Sequence, residues 1–271
     1  MVWVDRAVGI EKSMTYLEEE ERMTHLYLIR HAEAMSAIKG FVGDGGLSPL
    51  GIMQAKRLRD RLAASREIAP DVLIASTFPR ARQTAEIIAP ALGVPLMLDD
   101  SIQELRPGEA EGMPVDMFRE KFGEPDYEED PYRPLAPGGE NWGQFMLRVG
   151  TALHRIVRTY AGKTIVLVCH GGVIDGSFLY FFKMSAWTLP PARFYTRNTS
   201  ITHWQEILSR KNEPYWHLIK YNDAFHLHDI GTPAHIPWGQ IAVSPASDRD
   251  RPAVPSEAES FDVREQADDA T

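Results

Sequence analysis

The sequence is poor in cysteine, and this scarcity limits the kinds of protein it can encode. Cys169 is the only cysteine among 271 residues. A lone thiol forms no internal disulfide and cannot build a cysteine-rich zinc module. The sequence therefore excludes small disulfide-stapled folds and zinc fingers, and it fits a reducing compartment such as the cytoplasm.

Long hydrophobic runs are absent as well. No apolar run approaches the ~20 residues that a membrane-spanning helix needs. Asp5 and Arg6 interrupt the N-terminal region where a signal peptide would carry its apolar stretch. We therefore predict a soluble, cytoplasmic protein with no membrane partner.

The chain also lacks an excess of positive charge, since its formal net charge is -9. The acidic excess lies at the two ends, whereas residues 24–228 carry 23 acidic and 23 basic side chains. A balanced central region gives no electrostatic reason to expect a nucleic-acid partner, and it is compatible with a small anionic ligand.

Composition divides the chain into three parts. Residues 1–23 form an acidic N-terminal leader, and residues 229–271 contain five prolines among scattered serine, aspartate and glutamate. A tail of this composition buries too little apolar surface to offset chain entropy, so we expect it to be disordered. Residues 24–228 are predicted to form a single domain.

Short apolar runs predict strands that are buried on both faces of a sheet. The three clearest are Leu26–Ile29, Val72–Ala75 and Ile165–Cys169, and Val94–Leu98 is a weaker candidate. Later runs at Ile201–Trp204 and Tyr215–Ile219 add strands, one of which we expect to be antiparallel.

Helical patterns lie between these strands. Ser48 and Pro49 begin one that extends to Leu62, Pro79 begins another that ends before Gly93, and a third covers residues 142–160. Alternating strands and helices indicate right-handed crossovers. We predict an α/β fold of three layers, with a mainly parallel sheet covered by helices on both faces.

Polar side chains follow the three clearest strands. Arg30 and His31 come after the first, Arg80 begins the helix after the second, and His170 and Gly171 come after the third. Ligands of open α/β sheets bind at the carboxyl ends of the strands, so we expect these groups to meet. A surface ion pair is the simpler interpretation of one arginine, and a core side chain that of one histidine. Their convergence favours a phosphate site with arginine forks and backbone N–H donors.

This set of groups also suggests a reaction. A neutral imidazole can attack phosphorus, and neighbouring arginines favour the unprotonated form. A carboxylic acid is then needed to protonate the leaving alkoxide. The segment from 102 to 112 offers three acids, and Glu104 is the best placed because it follows the candidate strand Val94–Leu98.

Several motifs, in this order and spacing, resemble the histidine phosphatase superfamily, whose fold is that of phosphoglycerate mutase. The resemblance covers roughly residues 25–227. Its main segments are Leu28 to Glu33, Leu47 to Gly51, Ser76 to Ala85, Glu104 to Gly112, Pro137 to Glu140, Val168 to Ile174 and Asn198 to Thr202.

The resemblance implies a role for each matched residue. His31 becomes the phosphohistidine, and Glu104 donates and accepts the proton. Arg30, Arg80 and His170 hold the phosphoryl oxygens. The resemblance implies no metal and no cofactor. His226, His228 and Asp229 match no strong metal-ligand spacing, and we expect them to belong to a solvated chain end.

Three functions remain open from the sequence. The short segment between Glu104 and His170 leaves the pocket open to water, which favours a phosphatase acting on a small phosphorylated substrate. A phosphoglycerate-mutase-type transfer is the runner-up, and a noncatalytic scaffold that binds phosphorylated ligands is the third. Ala34, Ala37 and Asp175 depart from residues common in the family, so substrate choice is not fixed, and homodimer formation is also left open.

Overall fold

The computed structural model describes residues 23–124, 126, 129–185, 194–209 and 213–230. Nearly all of the predicted leader at 1–23 and of the predicted tail at 229–271 lies outside the described residues, so both remain predictions. No helix in the described part of the chain has the length and apolar character needed to cross a membrane.

The described residues form one mixed sheet of six strands. These are β1 (His25–Arg30), β2 (Val72–Ser76), β3 (Leu96–Asp99), β4 (Thr164–Cys169), β5 (Ile201–Leu208) and β6 (Pro214–Asp223). Their order across the sheet is β3-β2-β4-β1-β5-β6. The first four in spatial order pair in parallel, and β5 is antiparallel to both of its neighbours. The sheet is therefore mainly parallel with one reversed strand, as the sequence predicted.

The helices are α1 (Met35–Lys39), α2 (Pro49–Ser65), α3 (Pro79–Leu92), α4 (Val115–Phe122), α5 (Trp142–Thr159) and α6 (Gly171–Phe181). Ser48 caps α2 by accepting the backbone N–H of Gly51 at 2.9 Å. Gly93 ends α3 in the left-handed region at a φ of 71°. No sequence pattern predicts α1 and α4, because these helices are short and bury almost no side chains.

Strand side chains alternate between two apolar cores. Ile29, Leu73 and Val166 pack with residues of α2 and α3 on one face of the sheet. Leu28 and Leu167 pack with residues of α5 and α6 on the other face. Because both faces are covered, the strands appear in the sequence as unbroken apolar runs, and the predicted three-layer α/β fold is confirmed.

The register of the central strands places the next residues of the chain side by side. Arg30 of β1 lies opposite Cys169 of β4, and Ala75 of β2 lies opposite Val168 of the same strand. His31, His170 and Ser76 therefore emerge at one edge of the sheet.

Candidate active site

A cavity of about 320 Å³ opens at this edge of the sheet. Five of the six predicted site residues line it, namely Arg30, His31, Arg80, Glu104 and Gly171. The sixth, His170, lies directly beside it, with its ring centroid 5.1 Å from that of His31. The structure brings all of the predicted residues together, although they are distant in the sequence.

The hydrogen bonds of His31 define its tautomer. Its Nδ1 lies 2.7 Å from the backbone oxygen of Ala32, which can only accept, so this nitrogen carries the proton. Its Nε2 lies 3.0 Å from Nε of Arg80, which can only donate. Nε2 therefore carries the lone pair of the ring, which accepts the Arg80 Nε–H, and it acts as a nucleophile once a phosphoryl group replaces that hydrogen bond.

The protonation state of His31 follows from its surroundings. Its side chain is almost completely buried. Burial holds the pKa of His31 well below its usual value of 6.5, and the positive charges of Arg80 and Arg30 lower the pKa further. The imidazole is therefore neutral at physiological pH, and its attacking nitrogen needs no base to free it.

His170 is placed just before α6, where β4 ends. Its Nε2 lies 2.8 Å from the hydroxyl oxygen of Ser76, and its Nδ1 is buried with no hydrogen-bond partner in the described part of the chain. Burial and the charge of Arg80 also hold the pKa of His170 well below 6.5. An unpartnered buried nitrogen is costly, and a ligand oxygen at this position would satisfy it.

Arg30 is a buried cation at the end of β1. Its Nη1 donates to the backbone oxygen of Thr196, whereas its Nε has no hydrogen-bond partner among the described residues. Burial lowers the pKa of Arg30 and the Glu104 carboxylate opposes this effect, but a guanidinium keeps its charge in proteins. Arg30 therefore also offers an unused donor at the cavity.

Arg80 is oriented by Asp44, a residue whose role in the site was not predicted from the sequence. The Asp44 carboxylate lies 3.0 Å from Nη1 of Arg80 and accepts the Arg80 backbone N–H at 3.2 Å. Only 4% of the Asp44 side chain is exposed. A cation in the first turn of α3 opposes the helix dipole, and Asp44 supplies a compensating anion from within the chain. Its position in the glycine-rich run 43–46 is only a weak sequence signal.

Glu104 lines the cavity from the loop that follows β3. Its Oε2 accepts the backbone N–H of Gly172 and its Oε1 accepts that of Leu105, both at 3.1 Å. A Cβ on residue 172 would lie 2.4 Å from Oε1 of Glu104, so the close approach requires glycine there. Of the other two acids in this segment, Glu109 is exposed and Glu111 accepts the backbone N–H of Asp44.

An ion pair behind the cavity fixes the Glu104 loop. Arg148 of α5 donates to the backbone oxygens of Gln103 and Glu104, at 2.9 Å and 3.2 Å. Two further bonds, of 2.7 Å and 2.6 Å, join Arg148 to the carboxylate of Glu140. This bidentate pair is mostly buried, so it holds the carboxyl group of Glu104 in place through the backbone.

The described residues contain no group of three or more histidine, cysteine, aspartate or glutamate side chains that could hold a metal ion. The expectation that residues 226–229 form a solvated chain end is wrong for His226. This histidine is buried, and its Nε2 lies 2.9 Å from the hydroxyl oxygen of Thr199. This chain end has no apolar periodicity from which the burial of His226 could be predicted.

Known proteins are similar to this chain over most of its length. A metal-independent phosphoserine phosphatase of Arabidopsis thaliana is 24% identical over 84% of this chain and 93% of its own length. The protein named "Probable phosphoglycerate mutase GpmB" of Salmonella paratyphi C is 30% identical over 66% of this chain and 84% of its own.

The fold is also similar to that of a solved structure. A phosphoserine phosphatase variant from Entamoeba histolytica, crystallised with phosphoserine, superposes with a TM-score of 0.59. It is 26% identical, and the superposition covers 75% of this chain and 99% of that one. The model of the histidine phosphatase superfamily (branch 1) matches residues 26–223. Because this match covers most of the chain, the chain belongs to the histidine phosphatase superfamily.

Proposed function

We propose that the protein hydrolyses small phosphomonoesters through a phosphohistidine formed on Nε2 of His31. The observation that carries this proposal is the tautomer of His31, whose Nδ1 proton is bound by a backbone oxygen while Nε2 keeps its lone pair beside Arg80. A phosphate-binding scaffold needs cations, but it does not need a neutral imidazole poised in this way.

The first chemical step transfers the phosphoryl group to the protein. Nε2 of His31 attacks phosphorus, the bond between phosphorus and the ester oxygen breaks, and Glu104 in its protonated form gives its proton to the departing alkoxide. Arg30, Arg80 and Nδ1 of His170 bind the oxygens of the transferred group. They are preorganised donors in a buried site, where such charge stabilisation is most effective.

The second step regenerates the protein. The Glu104 carboxylate takes a proton from water, the water oxygen attacks phosphorus, and the bond between phosphorus and Nε2 breaks. Inorganic phosphate leaves, and Glu104 is again protonated. Hydrolysis of phosphate monoesters can require accelerations of up to ~10²¹. A general acid supplies only ~10² to 10⁴ of this, so the cations and the covalent intermediate must supply most of the rest.

The test compares the two transfer reactions that this site could perform. The protein is incubated in chelator with 4-nitrophenyl phosphate, and separately with 3-phosphoglycerate and a bisphosphoglycerate primer. We expect hydrolysis to be faster than isomerisation. Isomerisation faster than hydrolysis would instead establish a mutase, and His31→Ala should abolish either activity.

We further propose that the protein acts in the cytoplasm. Its lone thiol, Cys169, is buried in the sheet, and burial raises the pKa of that thiol above its usual range. A protonated, inaccessible thiol needs no oxidising compartment. We expect immunodetection to find the protein in the cell extract after membranes have been removed. Recovery of the protein from the culture medium would contradict a cytoplasmic location.

A further inference from the structure

We infer that the substrate is the phosphomonoester of a compact apolar alcohol that carries no second anionic group. The inference rests on the proposed function, and it names the class of leaving group that the cavity accepts. Two independent features of the described residues lead to it. One is the distribution of charge around the cavity, and the other is the apolar character of much of its lining.

The cations of the cavity are already committed. Within the described residues, its lining contains only two basic side chains, Arg30 and Arg80, and both act on His31 electrostatically. Arg80 is also paired with Asp44. They surround the position of the transferred phosphoryl group, so neither remains for a second anion on the substrate.

The other acidic groups that line the cavity are Glu33 and Asp175, besides Glu104, which is protonated when the ester binds in the proposed mechanism. A carboxylate on the leaving group would enter beside Glu33 and Asp175 and lose its hydration without gaining a cation from the described lining. Burying an unpaired charge is costly, and like charges add to that cost. The cavity therefore disfavours phosphoesters of hydroxy acids.

Much of the cavity lining is apolar. Six of its larger apolar side chains are Ile38, Phe41, Val42, Val115, Leu135 and Phe194. Backbone hydrogen bonds fix part of this lining, since Val115 donates to Gly40 at 3.0 Å and Val42 donates to Met113 at 2.8 Å. The apolar lining matches an aromatic or aliphatic group.

The size of the cavity restricts the alcohol further. A volume of about 320 Å³ lies at the lower end of the range of small-molecule sites, which is roughly 300 to 1,000 Å³. The phosphoryl group occupies part of this space, which favours a small ester.

A matched pair of esters tests the inference. 2-Phenylethyl phosphate and 2-(4-carboxyphenyl)ethyl phosphate have nearly the same alkoxide leaving group and differ by one remote carboxylate. We expect kcat/KM to be about tenfold or more higher for the neutral ester, which corresponds to one unpaired charge in the cavity. Equal values, or faster hydrolysis of the carboxylate ester, would overturn the inference while leaving the phosphatase proposal intact.

Two lysine variants locate the origin of the preference. Ile38 lines the cavity and is 58% exposed, whereas Met117 is 56% exposed and lies outside the cavity lining. Ile38→Lys should reduce the difference between the two esters by roughly threefold to tenfold. Met117→Lys adds the same charge elsewhere and should leave the difference unchanged.

The outcomes separate this inference from the proposed function. If both lysine variants reduce the difference equally, the preference comes from overall charge and the inference is wrong. It is also wrong if Ile38→Lys has no effect on the difference. If neither ester is hydrolysed and no phosphoprotein forms, the proposed phosphatase function itself fails.

Discussion

Substitution of alanine for Gly172 tests whether Glu104 must sit where the structure places it. The added Cβ would lie 2.4 Å from Oε1 of Glu104 and 2.6 Å from the nearest ring atom of Phe145. Both contacts are too short, so the Glu104 carboxyl group must move away and the buried ring of Phe145 must also shift, which costs stability. Alanine favours a helix more than glycine does, so helix propensity itself gives no reason for a loss.

The size of the effect follows from the displacement. Restoring normal contact distance moves the carboxyl group by about 1 Å, and a misplacement of this size can cost ~10²-fold in rate. The whole contribution of a general acid, ~10² to 10⁴, sets the upper limit. We therefore expect kcat/KM for an alkyl phosphate to fall about 10²-fold in Gly172→Ala.

Gly171→Ala is the matched control. Its Cβ would lie 3.8 Å from Nε of Arg30, which is ordinary van der Waals contact, and the backbone N–H is kept. We expect a loss of less than about tenfold, since this change leaves Glu104 in place. The contact with Phe145 is specific to residue 172, so the thermal midpoint of Gly172→Ala is measured separately and the rates are compared at a temperature where both variants are folded.

The assay exploits the need for an acid. 4-Nitrophenolate leaves without protonation, so Gly172→Ala should retain a rapid burst of 4-nitrophenolate while its hydrolysis of an alkyl phosphate is slow. Equal losses in the two glycine variants would refute the reasoning. So would a loss of the burst in Gly172→Ala that is as large as its loss with the alkyl ester.

Three other predictions follow from the site. Asp44→Asn breaks the buried ion pair with Arg80, so it should lower the free energy of unfolding in urea by about 3 kcal/mol and reduce kcat about 10²-fold. An unchanged free energy of unfolding and an unchanged kcat would contradict the orienting role of Asp44. Glu140→Gln loosens Arg148, so kcat for alkyl phosphates should fall while inhibition by inorganic phosphate stays the same; a parallel loss of phosphate affinity would argue against it. Burial and Arg80 hold the pKa of His31 well below 6.5. The contribution of neutral His31 to the free energy of unfolding should therefore be complete above about pH 6.5 and be lost as the pH falls toward the lowered pKa. A ¹⁵N NMR titration of His31 in the folded protein with a midpoint near 6.5 would disprove this.

Much of the fold could be predicted because burial leaves a regular pattern in the sequence. The strand Thr164–Cys169 is apolar on both faces, and both faces are covered in the structure. The cap at Ser48 was equally visible, since serine before proline is a frequent helix start. His31 and His170 directly follow such strands. Because the carboxyl ends of parallel strands meet at one edge of the sheet, their place in the site could be predicted as well.

The residues that the sequence did not reveal act through loops and long-range contacts. Asp44 reaches Arg80 from an irregular glycine-rich loop that has no period to read. Arg148 occurs in a well-predicted helix, but only the three-dimensional structure shows that it binds the backbone of Glu104. Short elements such as α1 bury too few side chains to leave a pattern.

Direct capture of the phosphorylated protein is the decisive measurement for the covalent mechanism. Full-length protein is mixed with a ³²P-labelled monoester and quenched in denaturant at alkaline pH within the first turnover, and the labelled peptide is then identified by mass spectrometry. The mechanism predicts an acid-labile, alkali-stable phosphate on the peptide that contains His31, and no such label in His31→Ala. A label on a serine or aspartate, or an equal label in His31→Ala, would contradict it.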